Sequence, residues 1–291
     1  MTLMNETTPV KISVVIPTCH RNDLLALCLN CLAPGVQTLP PEQYEVIVTD
    51  DGSRSTAKQL VQEKYPWAAW TAGPRRGPAA NRNHGAALAQ GEWLAFTDDD
   101  CLPQPGWLAA FKAALEPAVF VYEGRTTCRA GVKSPLQQAP INLTGGWLWS
   151  CNLFIQAAVF QEMNGFDPSF PHPHMEDVDF RERLKQTHRR FVFAENALVD
   201  HPPRRVAWGA RRGAAQESEI MWFYKTGNSR FSGLRILKRT LGFRLRAIKN
   251  SPLSADTLLA LVSLGAELCY LSTRVRAWEL KYKKRYASSQ K

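Results

Sequence analysis

The 291-residue sequence shows no internal repeat and no low-complexity segment, which sets aside solenoid, fibrous and linker-like classes. Its N-terminus, MTLMNETTPVKISVV, lacks the basic flank, apolar run and small-residue cleavage site of a secretory leader. The seven cysteines (Cys19, Cys28, Cys31, Cys101, Cys128, Cys151 and Cys269) are odd in number and irregularly spaced. One CxxC, Cys28 to Cys31, has no second pair to complete a zinc site, and in the helical LLALCLNCL its thiols read as core residues. A reduced cytosolic compartment is the expectation. After the first strand-like run the chain reads IPTCHRND, without the glycines of a phosphate loop, which weighs against a nucleotidyltransferase.

What is present is apolar enough to fold, with 45% hydrophobic residues, and long enough for one large domain or two small ones. Charge is unevenly placed. From Arg204 onward there are 19 lysines and arginines against 5 acids, out of 36 and 26 in the whole chain, so the residues before Arg204 are slightly acidic. A basic tail of this kind suits an anionic surface, lipid or nucleic acid, or is simply a solvated helix face. The expected partner is an anionic membrane surface rather than nucleic acid. Within the tail, SADTLLALVSLGAELCYLS (residues 254–272) has about the length of a bilayer span, but Asp256 and Glu267 interrupt it. A packed or interfacial helix is the plainer reading.

Strand-like and helix-like runs alternate four times in about the first 115 residues. KISVVIPT, YEVIVTDD, WAAWTAG and EWLAFTDDD read as strands, each followed by a helical pattern. Such alternation predicts βαβ units and a mostly parallel sheet flanked by helices. Ligands of such sheets bind beyond the carboxyl ends of the strands, where Pro17-Thr18, Asp50-Asp51 and Asp98-Asp99-Asp100 fall. Residues 118–205 read as a less regular second half, and 206–291 as a basic helical region.

Three carboxylates after a buried strand repel one another and are costly to desolvate, so they need positive charge. In D-x-D the outer carboxylates, Asp98 and Asp100, leave the strand on the same side. One can hold a cation and the other a sugar hydroxyl, and hard oxygen ligands suit Mg²⁺ or Mn²⁺. A solvated acidic turn is the plain alternative. Asp50-Asp51-Gly52-Ser53 is good turn sequence, yet a carboxylate there can also accept the imide proton of a uracil ring. Glu176-Asp177 stands where a helix starts; the helix dipole favours acids there, and a general base would stand there too. His201, before Pro202-Pro203, can complete a metal shell or be an ordinary histidine. Arg82 and Asn83, on GPAANRNHG, can meet phosphate or base or lie on a helix surface. Trp147 and Trp149 can stack on a sugar face or pack in a core.

Taken in order, SVVIPTCHRNDLLALCL, VIVTDDGSRS, GPAANRNHGAALAQGEWLAFTDDDCLP and NGFDPSF…MEDVDFRERL resemble the family 2 glycosyltransferases of GT-A fold. The resemblance covers roughly residues 11–203. It implies an α/β, Rossmann-like domain that transfers a sugar from a nucleotide-diphosphate sugar with inversion. By position it makes Asp51 the base-contacting acid, Asp98 and Asp100 the D-x-D and His201 similar to a metal-binding histidine. Together with the rim and helix residues read above, the expected donor-binding set is Pro17, Thr18, Asp51, Arg82, Asn83, Asp98 and Asp99, and the expected ligands of Mg²⁺ or Mn²⁺ are Asp98, Asp100 and His201. Asp177 is implied as catalytic base with Glu176 in support; Trp147 and Trp149, from the stacking reading above, are the expected acceptor-binding residues. The donor half would span residues 1–117, the acceptor half 118–205. The processive synthases' Q-x-x-R-W motif is absent; QESEIMW does not match it. Addition of one sugar to a glycan or lipid-linked acceptor is therefore expected, in cell-envelope polysaccharide or glycolipid synthesis. The expected location is cytoplasmic, peripheral on the inner face of the membrane. A nucleotidyltransferase, or an inactive binding or scaffold protein on the same fold, are the competing readings.

Overall fold

The computed structural model describes residues 11–230 and 232–287. The N-terminal decapeptide, part of the stretch read above for leader features, lies outside them, as does Lys291 of the basic tail. The chain divides into two compact units. The first comprises Met1–Thr127, Ile141–Pro168 and Phe180–His201; the second comprises Cys128–Pro140, Ser169–Asp179 and Pro202–Lys291.

The first unit is built on one eight-stranded sheet. In chain order its strands are β1 (Ile12–Thr18), β2 (Tyr44–Asp50), β3 (Ala69–Ala72), β4 (Trp93–Phe96), β5 (Leu102–Pro103), β6 (Val121–Thr127), β8 (Leu153–Gln156) and β9 (Phe191–Asp200). Their spatial order is β3-β2-β1-β4-β8-β6-β9-β5. The first four are mutually parallel, β8 runs antiparallel to β4 and β6, β6 and β9 are parallel, and β5 is antiparallel to β9. The sheet is thus mixed and mostly parallel. The segment that reads as irregular in sequence supplies β6, β8 and β9, whose short and interrupted patterns are absorbed by the sheet.

Strand alternation sorts the side chains into two cores. Ile12, Val14 and Ile16 of β1 point to one face with Trp93 and Ala95 of β4, while Val15, Leu94 and Phe96 point to the other. Both faces are covered, which is why β1 is buried at all seven positions and reads as a continuous apolar run. Helices α1 (Asn22–Leu32), α2 (Lys58–Lys64) and α4 (Trp107–Ala113) cover the first face through Leu25, Leu29, Val61, Trp107 and Phe111. On α1, Cys28 is buried in that core and Cys31 is half-buried; all seven cysteines are free thiols.

Helix α3 (Pro78–Leu88) and α5 (Ala157–Glu162) cover the second face, with Phe180 and Leu184 of α6 (Glu176–Gln186). Gly85 lets α3 lie close to the sheet, because a Cβ there would stand 2.6 Å from Val15 Cγ1.

In the second unit β7 (Gln137–Gln138) pairs antiparallel with β10 (Arg204–Arg205). Three helices follow: α7 (Gly209–Lys225), α8 (Ser232–Lys249) and α9 (Ala255–Tyr286). They share an apolar core of Ile220, Met221, Ile236, Leu271, Val275, Trp278 and Tyr282.

Candidate active site at the carboxyl rim of the sheet

Because β2, β1 and β4 are parallel neighbours, their carboxyl ends bring Asp50-Asp51, Pro17-Thr18 and Asp98-Asp99-Asp100 to one rim. Direct bonds tie them. The Asp51 N–H donates to Thr18 O at 2.9 Å, and Thr18 Oγ1 donates to Asp99 Oδ2 at 2.7 Å.

The positive charge that the acidic triplet requires comes first from the chain itself. Arg21 Nε donates to Asp99 Oδ2 at 3.0 Å, with Nη2 2.5 Å from Oδ1, while Nη1 reaches Asp100 Oδ2 at 3.0 Å. Arg82 Nη2 meets Asp98 Oδ1 at 2.5 Å, and its guanidinium lies over the Phe166 ring. Asp99 is fully buried. Burial pushes its pKa up to about 7, against the pull of the Arg21 charge and the Thr18 hydroxyl. Burial also opposes the charge on Arg21, but Asp99, Asp100 and Asp98 outweigh it and raise the Arg21 pKa. Arg21, in the loop before α1, is a residue the sequence reading missed; only its position in CHRND beside an acidic rim would have signalled it.

Asp50 and Asp51 divide their work. The buried Asp50 carboxylate accepts from Gly52 N at 2.7 Å, Ala57 N at 2.6 Å and Trp70 Nε1 at 3.3 Å, and so shapes the turn after β2. Asp51 accepts from Arg75 N at 2.7 Å and Gly77 N at 3.1 Å, fixing the loop that enters α3. On α3, Asn81 is the residue that knits β1 to β2: its Nδ2 donates to Thr49 O and Thr18 O, and its Oδ1 accepts from Thr49 Oγ1. Gly73 has no alternative here, since a Cβ would fall within 2.3 Å of both Asn81 Oδ1 and Asp51 Oδ1. The neighbouring Asn83 is occupied differently, clamping the Phe166 backbone through both its amide atoms at 2.7 and 2.9 Å.

His201, at the end of β9, is buried, and its Nε2 lies 3.4 Å from Asp100 Oδ1. Asp100, Cys101 and His201 have ligand atoms within 4.8 Å of one another. Asp100 and His201 fit a Mg²⁺ or Mn²⁺ ion, which is commonly bound by one or two protein groups plus substrate phosphates. Cys101 does not fit: burial first, then its hydrogen bond to Cys151 and the nearby carboxylates, hold its thiol well above the ordinary pKa and so protonated.

A second construction is centred on Glu123, within β6. The buried Glu123 carboxylate accepts from Asn142 Nδ2 at 2.9 Å, Trp147 N at 3.0 Å, Leu148 N at 2.9 Å and also Gly146 N. Gly145 and Gly146, at φ +82° and +97°, let the loop curl around that carboxylate. The loop presents Trp147, 46% exposed and stacked on Trp149 with ring centroids 5.1 Å apart. Glu123 escaped the sequence reading because a lone Glu in VYEGRTT carries no motif.

Glu176 and Asp177 occupy the first turn of α6, Glu176 buried and Asp177 half-buried. Asp179 meets Lys225 Nζ at 2.7 Å. Met175, immediately before them, is held at φ +83°. His20, Arg75 and Leu148 are also non-glycine residues at positive φ, beside Arg21, the Asp51-bound loop and the Trp147–Trp149 pair. Strain of this kind is kept where the surroundings over-determine the backbone.

Comparison with known proteins bears on the family and the fold. The model of "Glycosyl transferase family 2" matches residues 13–151. Validoxylamine A glucosyltransferase of Streptomyces hygroscopicus subsp. limoneus is 30% identical over 220 residues, covering 60% of this chain and 47% of that protein. Pre-mycofactocin glycosyltransferase of Mycobacterium tuberculosis is 27% identical over 216 residues, covering 66% and 46%. The chain spans about half the length of these curated relatives. The mannosyltransferase PcManGT from Pyrobaculum calidifontis, solved with GDP-Man and Mn²⁺, superposes with a TM-score of 0.57 at 17% identity, covering 98% of this chain and 89% of that one. Residues 1–349 of TarS from S. aureus, solved with UDP-GlcNAc, superpose with a TM-score of 0.55 at 17% identity, covering 94% and 92%. The shared architecture is the GT-A fold.

Proposed function

We propose that this chain, whose residues 13–151 match the glycosyl transferase family 2 model, moves one sugar, with inversion, from a nucleotide-diphosphate sugar to an acceptor hydroxyl. A UDP-sugar is the first donor to test, and a glycan or lipid-linked molecule the acceptor. The observation that carries this reading is the charge balance of the rim. Asp98, Asp99 and Asp100 face two guanidiniums, Arg21 and Arg82; with Asp99 held at a pKa of about 7, the cluster carries between zero and one net negative charge beside a buried imidazole. That is a setting for one divalent cation with positive charge to spare for a diphosphate, rather than for a bare phosphate.

In this reading Asp51, with the loop it fixes, contacts the nucleoside base, and Pro17 and Thr18 line the floor beside it. Asp98 and Arg82 orient the sugar and phosphate end. Asp100 and His201 would hold Mg²⁺ or Mn²⁺. When bound, that ion supplies charge neutralisation of the departing nucleotide diphosphate. Asp99 acts at one remove, anchoring Arg21 and Thr18 beneath the rim. Asp177 takes the proton of the attacking hydroxyl, and Glu176 supports it. Trp147 and Trp149 offer an aromatic face to the acceptor.

The test is a panel of nucleotide sugars, with and without Mn²⁺, followed by release of the nucleotide diphosphate. One donor should turn over in a metal-dependent way, and Asp100→Ala should abolish that turnover. Once an acceptor is found, Asp177→Asn should bind donor as the parent does and lose transfer. Wild-type transfer by that variant would remove Asp177 as the base. Failure of every nucleotide sugar to bind would overturn the reading as a whole.

A further inference from the structure

The second unit carries an apolar surface that is exposed among the described residues. Helix α9 buries a stripe of Thr257, Ala260, Leu264, Glu267, Leu271, Val275, Trp278 and Tyr282, spaced three and four apart. Apart from Ser263, which is also buried, the positions just after each of them turn outward, and in the first half of the helix those are mostly apolar. Leu258 is 60% exposed and Val262 62%, with Leu259 and Leu261 beside them and Leu253, just before the helix, 92% exposed. Helix α8 adds exposed Leu241, Phe243 and Leu245.

The two acids that interrupt this stretch in the sequence are used inward. Asp256 accepts from Ser134 Oγ at 2.5 Å, and Glu267, fully buried, accepts from Arg244 Nε at 3.2 Å. From Thr257 to Thr273 Glu267 is the one charged residue, so the outward face there carries no charge at all.

Around this face the charge is of one sign. Helix α8 contains no Asp or Glu, and its Lys238, Arg246 and Lys249 are exposed. The second half of α9 carries Arg274, Arg276, Lys281, Lys283, Lys284 and Arg285 against Glu279 alone. Exposed leucines beside a basic field match the acyl boundary and headgroups of an anionic bilayer. A water-facing helix would have polar residues at Leu258 and Val262. A spanning helix would have to carry Glu267 into lipid away from Arg244.

We propose that α8 and the first half of α9 form a docking surface for an anionic lipid bilayer, with α9 lying in the interface and its buried stripe kept on α7 and α8. The surface is independent of the sugar-transfer reading, and either can fail without the other.

The test is co-sedimentation of the full chain with phosphatidylcholine vesicles and with vesicles containing phosphatidylglycerol. Binding should require phosphatidylglycerol and weaken as salt is raised. Leu258→Gln with Val262→Gln should lower partitioning at least about tenfold while the far-ultraviolet circular dichroism is kept. A separate variant, Lys238→Gln with Arg246→Gln and Lys249→Gln, should flatten the salt dependence. The proposal is overturned if both variants bind vesicles as the parent does, or if the parent ignores anionic vesicles. It is equally overturned if the parent sediments as a dimer that the leucine and valine substitutions dissociate, which would give the face to a second copy of the chain.

Discussion

Replacing Glu123 by Gln keeps the side chain's shape and removes the charge around which the Trp147 loop is folded. Oε2 accepts three hydrogen bonds, from Asn142 Nδ2, Trp147 N and Leu148 N, and Oε1 accepts one from Gly146 N. A glutamine carbonyl can serve the first three as a neutral acceptor. Each bond then loses roughly 1 kcal/mol, the difference between charged and neutral hydrogen bonds. The amide nitrogen faces the Gly146 N–H, donor against donor, which costs about 1–3 kcal/mol more. Relief of a buried charge offsets part of this sum. The net expectation is a destabilisation of about 3 kcal/mol, or a fall in Tm of about 6–12 °C for a domain of this size. Glu123→Ala, which leaves four donors without an acceptor, should cost more. Thermal unfolding measures the loss, and near-ultraviolet circular dichroism reports the Trp147–Trp149 stack. A Tm within about 2 °C of the parent, with an unchanged aromatic spectrum, would refute the view that this carboxylate organises the loop.

Two further outcomes follow from other buried charges. Arg21→Ala leaves Asp99 buried beside two other carboxylates. It should cost about 2–3 kcal/mol, less than a fully buried pair because Arg21 is half-exposed, and adding Asp99→Asn should restore part of it; denaturant unfolding of the single and double variants checks this. His174 is held at a pKa of about 4, by burial first and then by Arg239 and His172, and its Nε2 is buried. The unfolded chain takes up that proton below about pH 6.5 and the folded chain only near 4, so stability is complete above 6.5 and is lost as pH falls through that window. The partly exposed ring brings the loss to about 2 kcal/mol, and His174→Gln should flatten the profile between pH 6.5 and 4.

Much of the carboxyl rim was legible because parallel-sheet logic needs only the order of strands. Three apolar runs ending in Pro17-Thr18, Asp50-Asp51 and Asp98–Asp100 must deliver those residues to one edge if the runs are neighbours, and β2, β1 and β4 are. The local patterns also marked α1, α3 and α4, whose apolar spacing and flanking glycines or prolines are local signals. The sequence could not tell the two roles of adjacent acids apart. Asp98, Asp99 and Asp100 look alike in a string, but the turn that follows β4 buries Asp99 beneath the rim on Arg21 and Thr18 and leaves Asp100 beside His201, a hundred residues away in sequence. Asn83, a donor-binding candidate in the sequence, clamps Phe166, while Asn81 two residues earlier holds two strands together, because a helix turned by 100° per residue faces them differently.

The same division holds in the tail. Composition alone determined that the last third is basic and that residues 254–272 are apolar with two interrupting acids. Only the packing of α9 decided that Asp256 and Glu267 point inward and that Leu258 and Val262 point out. Periodicity defines that a helix has two faces, but which face is buried depends on the partners it meets, and those partners, Ser134 and Arg244, come from elsewhere in the chain.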